Sequence, residues 1–304
     1  MKFTAGNEWI RANHSFCWKS VFCSFKRLHT IWLNFGRFEF MNEQEYKILI
    51  EQIQNYWNER IHDLEVATHP VGTEGFFKDL ADYRFDKLHY LPKIVDFNSY
   101  QGQKILELGC GAGIDLIRFA QGGAVVTGVD LSQTAIDLAK QYFAFKHLKA
   151  DLRVMNGEAL EFKDDTFDVV YAHGVLQYTA DAQKMAEEAY RVLKPGGTFI
   201  GMVYNRNGWL NVMSRFFKVG LEHEDAPVLD KYSIGEFKQL LSAFSEVEIV
   251  PERFPVKSKL HGGLKGLLFN TFFVGAFNAL PKSWVKKSGW HLMAFARKQR
   301  STDR

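Results

Sequence analysis

The segment Ile105-Leu106-Glu107-Leu108-Gly109-Cys110-Gly111-Ala112-Gly113 constrains this 304-residue chain more than any other stretch. An apolar run reads as a buried strand, breaks into a glycine-rich turn and opens a helix at Ile114. Glycines at 109, 111 and 113 admit positive φ and carry no Cβ, so backbone can lie directly against a ligand. The start of the next helix offers unpaired N–H groups and a positive dipole end at the same place. A nucleotide-like ligand belongs here.

Two ligand classes compete for such a turn. The dinucleotide fingerprint is Gly-x-Gly-x-x-Gly after a strand. Counting from Gly109 puts its third glycine at Ile114, and counting from Gly111 puts it at Leu116. The spacing is instead Gly-x-Gly-x-Gly, with Glu107 two residues upstream. A pyrophosphate repels a nearby carboxylate, whereas a sulfonium or ammonium is attracted to one. The carboxylate favours S-adenosylmethionine over NAD or FAD.

Further signals follow in order. Ala124–Val129 reads as a second strand ending in Asp130, twenty-one residues past Gly109, where a carboxylate is placed to accept ribose hydroxyls. Leu152–Met155 reads as a third strand and runs into Asn156-Gly157-Glu158. Phe167–Tyr171 reads as a fourth, and Arg191–Gly197 closes a helix and turns into a fifth. Helices are expected over 113–121, over 132–146 with Ser132 as N-cap, and over 180–193. The alternation predicts an α/β fold, a doubly wound and mostly parallel seven-stranded sheet with helices on both faces. Gly109, Asp130, Asn156 and His173 all fall just beyond strand ends, where such sheets bind ligands.

Over about residues 50–204 these motifs resemble the class I S-adenosylmethionine-dependent methyltransferases, in the branch that acts on small molecules and quinone-type substrates. The resemblance implies a Rossmann-like methyltransferase fold and S-adenosyl-L-methionine as cofactor. It places Glu107, Gly109, Gly111 and Gly113 along the methionine part. Asp130 would hold the ribose, with Leu131 against the adenine. Asn156 would read the adenine amino group beside Gly157 and Glu158. His173 would lie near the sulfonium and the open substrate side. Residues 42–100 read as helices, with Ile48, Leu49, Ile53 and Tyr56 at helical spacing as the docking stripe; the resemblance implies that this helical cap, 41–100, covers the cofactor, with Tyr83 and Arg84 reaching its methionine carboxylate. The methyltransferase domain proper would then run from 101 to 304, with insertions at about 205–232 and 253–288.

The reaction expected of such a site is direct displacement at a sulfonium methyl carbon, which needs alignment and exclusion of water more than covalent help. A hydroxyl acceptor also needs a base. His173 leads the candidates because a neutral imidazole accepts a proton near pH 7; Tyr178, Tyr204 and His223 follow. After the fourth strand comes Ala172-His173-Gly174-Val175, without the Asn/Asp-Pro-Pro-aromatic run of enzymes that methylate amino groups of nucleic acids and proteins. No basic groove is evident in the core sequence, so nucleic acid is disfavoured and a small-molecule acceptor is expected.

Charge and cysteines bear on the two ends. The net charge is +3, yet residues 1–40 carry six basic residues (Lys2, Arg11, Lys19, Lys26, Arg27, Arg37) against Glu8 and Glu39. That segment lacks sustained periodicity and the marks of a secretion signal. Translation is expected to start at Met41, leaving 1–40 outside the fold. Three scattered cysteines (Cys17, Cys23, Cys110) suit a reducing cytoplasm, and no metal-ligand spacing appears. Leu264–Leu280 is apolar, and 253–302 holds ten basic residues and no acid. Together they suit a lid or core helix with solvated lysines, or alternatively a face for peripheral membrane contact that would take a lipid-like or quinone acceptor. Residues 290–297 suit a closing antiparallel strand.

Overall fold

The structure is a computed structural model that describes residues 41–60, 66–217, 221–256, 271 and 274–300. The chain divides into two compact units, Met1–Glu43 and Gln44–Arg304. The expectation for residues 1–40 lies outside the described residues, as does most of the apolar run over 264–280.

Seven strands form one sheet: β1 (Lys104–Leu108), β2 (Val125–Asp130), β3 (Asp151–Val154), β4 (Phe167–His173), β5 (Leu193–Tyr204), β6 (Ser245–Glu252) and β7 (His291–Arg297). Their spatial order is β3-β2-β1-β4-β5-β7-β6. The first five are mutually parallel, while β7 runs antiparallel to both β5 and β6. The chain starts at β1, winds outward to β3, then crosses back to β4 on the other side of β1. That reversal opens a crevice at the carboxyl ends of β1 and β4.

Alternation along the strands splits the core between two faces. Ile105, Val169, Tyr171, Ile200 and Met202 face one apolar layer; Leu106, Leu108, Val170, Ala172 and Val203 face the other. The first layer is covered by α2 (Glu74–Lys87), α4 (Leu116–Gln121) and α5 (Gln133–Phe145), the second by α6 (Ala182–Val192) and α8 (Ile234–Leu240). The doubly wound, mostly parallel sheet matches the sequence reading.

The caps show why the helices start where they do. Ser132 accepts a hydrogen bond from the Ala135 N–H and Asp181 from the Lys184 N–H, each satisfying a donor that the first turn leaves open. Thr73 does the same for Phe76 at the head of α2. The helix after the glycine turn departs from expectation. It becomes regular only at Leu116, because Gly109, Gly111 and Gly113 all sit at positive φ and Asp115 is drawn into an ion pair rather than a cap.

Helix α1 (Glu43–Glu59) also differs in detail. Its docking face is Leu49, Ile50, Ile53 and Trp57, while Ile48 is 46% exposed. The apolar stripe is turned one residue from the expected Ile48/Leu49/Ile53/Tyr56 set, and the Tyr56 hydroxyl donates to Asp225 at 2.9 Å. The stretch 205–232, expected as an insertion, carries α7 (Trp209–Phe217). Within 253–288, two short helices, Val274–Ala279 and Lys282–Val285, precede β7.

Candidate active site

One cavity of about 200 Å³ opens at the carboxyl ends of β1, β2 and β4. Glu107, Gly109, Gly111, Asp130, Leu131, Asn156, Gly157, Glu158 and His173 all line it. Gly113 does not. At φ +78° it faces α5, where a Cβ would crowd Ala139 and Phe143 at 3.3 Å, so it is there for helix packing. Gly111 is the complement: at φ +53°, a Cβ there would meet nothing within 4 Å, and its N–H donates to Asp130 Oδ2 at 2.9 Å.

The carboxylates divide by what they already hold. Asp130 ends β2, and its Oδ1 accepts from the Ser132 N–H at 2.8 Å. Burial raises its carboxyl above the usual range, and these backbone N–H groups hold it back. A carboxylate has about four lone-pair sites, so Asp130 fixes the glycine turn and keeps capacity for a hydroxyl pair. Glu158 is fully engaged: Tyr46 donates to Oε2 at 2.7 Å, while Thr179 and the Ala180 N–H donate to Oε1. It ties α1 to the turn after β4. Asn156 accepts from the Glu158 N–H at 2.9 Å and donates to the Tyr46 hydroxyl at 3.3 Å.

Glu107 stands apart. It is 4% exposed, and its Oε2 has no hydrogen-bond partner. Burial, then the nearby Asp115 and Asp130, push its carboxyl well above the ordinary range. An orphaned buried acceptor facing a cavity is costly without a ligand. A cation placed against it offsets that cost, which suits the ammonium or sulfonium of S-adenosylmethionine and not a pyrophosphate.

Beneath the glycine turn lies an ion pair. Arg84, from the cap helix α2, grips Asp115 through Nε at 2.6 Å and through Nη2, and the Tyr171 hydroxyl donates to the same carboxylate at 2.8 Å. Burial alone would raise the Asp115 carboxyl, and the guanidinium more than reverses it. Arg84 lines the cavity, whereas Tyr83 does not and instead lies under the Lys87 ammonium, 5.0 Å from its ring centroid.

His173 sits at the tip of β4 with both ring nitrogens engaged. Arg84 Nη2 is 3.2 Å from Nδ1 and the Tyr90 hydroxyl 3.3 Å from Nε2. Tyr178 and Tyr204 line the cavity, and burial raises both phenols. His223 packs behind them against Trp57, ring centroids 4.8 Å apart, and is not among the lining residues. The sequence reading missed the far wall: Trp57, Lys87, Glu222, Arg253 and His291. Glu222 accepts from Lys87 at 2.8 Å and from Arg253 at 3.3 Å. None of these lies in a motif, and His291 joins the wall only through the antiparallel β7. Among the described residues, no group of His, Cys, Asp and Glu is arranged to hold a metal ion.

A doubly wound sheet with this glycine turn, a carboxylate at the tip of β2 and an orphaned acid at the end of β1 suits a nucleoside-type ligand with a cationic group. The methyltransferase domain family matches residues 106–201. Over that matched stretch the chain is similar to the class I S-adenosylmethionine-dependent methyltransferases, a likeness that implies S-adenosyl-L-methionine as cofactor. Ubiquinone biosynthesis O-methyltransferase of Bartonella tribocorum is 31% identical over 154 residues, covering 48% of this chain and 62% of that protein. Its namesake from Pseudomonas entomophila is 33% identical over 135 residues, covering 44% and 57%. The match thus spans little more than half the length of these relatives. Among solved structures, the YcgJ protein of Bacillus subtilis shares the fold at TM-score 0.51 and 16% identity, covering 70% of this chain and 99% of that one. A methyltransferase solved with the Haloferax volcanii Trm112 activator shares it at 0.52 and 18%, covering 75% and 96%.

Proposed function

We propose that the protein transfers the methyl group of S-adenosylmethionine to a hydroxyl of a small-molecule acceptor, of the phenolic or quinone type. The observation that carries this is Glu107, which lines the cavity and whose buried Oε2 has no hydrogen-bond partner, with Asp130 at the neighbouring strand end. Glu107 would hold the cationic part of the cofactor and Asp130 the ribose hydroxyls, with Leu131, Asn156 and Gly157 along the adenine and Glu158 holding that wall in place. Arg84 would face the carboxylate of the amino-acid end.

When bound, the cofactor supplies an activated methyl group and its own leaving group. The chain's residues then orient, exclude water and take a proton. His173 is the residue we assign to the proton, because it lies on the cavity wall at the end of β4. The aromatic wall of Trp57, Tyr178 and Tyr204 suits a flat acceptor ring. The curated relatives' printed name, with its O-methylation and ubiquinone, supports a hydroxyl acceptor over an amine. No described helix is long and apolar enough to cross a membrane, and we place the enzyme in the cytoplasm. A lipid-like acceptor would then reach it by peripheral contact through 253–302, and no nucleic-acid partner is proposed.

The test is to incubate the full chain with S-adenosylmethionine and a panel of phenols, catechols and hydroquinones, then follow methyl ethers by mass spectrometry. A methyl ether is expected from at least one. Products from amines alone would overturn the hydroxyl assignment. His173→Ala is expected to keep cofactor affinity and lose about a hundredfold or more in turnover, the usual range for a general base; unchanged turnover removes His173 from the chemistry.

A further inference from the structure

A chain of buried polar groups runs from His173 on β4 to His291 on β7, and its protons can be assigned one by one. Tyr90 Oη lies 3.3 Å from His173 Nε2 and 2.6 Å from His291 Nδ1, and it donates to Met293 Sδ at 3.9 Å. At the outer ends, Arg84 Nη2 is 3.2 Å from His173 Nδ1, and Arg253 Nη1 is 3.1 Å from His291 Nε2. A guanidinium only donates. Both outer nitrogens must therefore accept, and a neutral imidazole then has its single N–H on the inner one.

Both inner N–H groups point at one atom. The Tyr90 oxygen has two lone pairs for them, and its own hydrogen goes to the Met293 sulfur. Moving the proton of either ring to its outer nitrogen would set an N–H against a guanidinium N–H. This arrangement alone leaves no such clash.

We propose that Tyr90, held by His291, is the positioning residue that makes Nδ1 of His173 the proton-accepting atom toward the acceptor hydroxyl. The proposal rests on the methyl-transfer reading above. A nucleophile–base pair needs a third group to hold the base, and Tyr90 supplies it here. As the acceptor oxygen bonds the methyl carbon, its hydrogen passes to Nδ1 and the carbon–sulfur electron pair stays on sulfur. The positive charge lost at sulfur is carried by the imidazolium, whose Nε2–H remains on Tyr90. Arg84 gives up Nδ1 to the hydroxyl and stays anchored by its bonds to Asp115, whose negative charge faces the new cation.

The experiment is ring-nitrogen NMR of the full chain with labelled histidine, with and without S-adenosylhomocysteine, on wild type and Tyr90→Phe. The expected wild-type pattern is His173 protonated at Nε2 and His291 protonated at Nδ1. In Tyr90→Phe the two tautomers mix, affinity for S-adenosylhomocysteine stays within about twofold, and kcat falls by about ten- to a hundredfold, with little change in KM. A wild-type His173 protonated at Nδ1 overturns the proposal with no variant needed and no acceptor known. Unchanged kcat in Tyr90→Phe overturns the positioning role. Failure of wild type to bind S-adenosylhomocysteine counts against the methyl-transfer reading instead, and the tautomer pattern still reads independently.

Discussion

Glu107 is the residue whose state should change most when a ligand arrives. In the free protein its carboxyl is held well above the ordinary range by burial and by Asp115 and Asp130. A group raised in the folded state contributes stability fully present below its unfolded pKa and lost as pH rises through the folded value. The free protein should therefore lose up to about 1.4 kcal/mol per pH unit across that window through this one group. Urea unfolding should show the slope in wild type and its loss in Glu107→Gln; identical slopes would mean that Glu107 ionises normally. Binding of a cation pulls the carboxyl back down, so cofactor uptake should release a proton in wild type and not in Glu107→Gln. Of the site residues, those near a strand end in a motif were readable from sequence, because the turn chemistry that exposes backbone also fixes spacing. Gly113 was readable as a glycine and misplaced in role, since only three dimensions show α5 pressing on it.

Among elements, the joint between the cap and the sheet is the Arg84–Asp115 pair, which links α2 to the start of α4. Breaking a buried pair by removing one partner leaves a buried charge and costs about 3–5 kcal/mol. Arg84→Met should destabilise by that order in chemical denaturation, with Asp115 left beside Glu107; a loss below about 1 kcal/mol would mean that the pair behaves as a surface one. The strands and the Ser132 cap were legible, because apolar runs and capping side chains are local signals. The late start of α4 was not: Asp115 looks like an acid of the first turn until Arg84, thirty-one residues upstream, claims it. The face of α1 was misjudged by one residue, since adjacent apolar positions at 48, 49 and 50 allow either rotation until the docking partner is known.

At the scale of the molecule, one wall of the cavity comes from the parallel half of the sheet and the other from the cap and the antiparallel edge. The first was legible as an ordered series of motifs. The second was not, because Arg253 and His291 are brought to His173 only by the pairing of β7 with β5 and β6, across stretches of 80 and 118 residues of chain. This cavity should bind the adenosylmethionine scaffold. The decisive measurement is calorimetric titration of the full chain with S-adenosylhomocysteine, beside NADH and an Asp130→Ala control. Binding of S-adenosylhomocysteine alone is expected, weakened about tenfold or more in Asp130→Ala, or about 1.4 kcal/mol. Binding of NADH with no response to S-adenosylhomocysteine would contradict it.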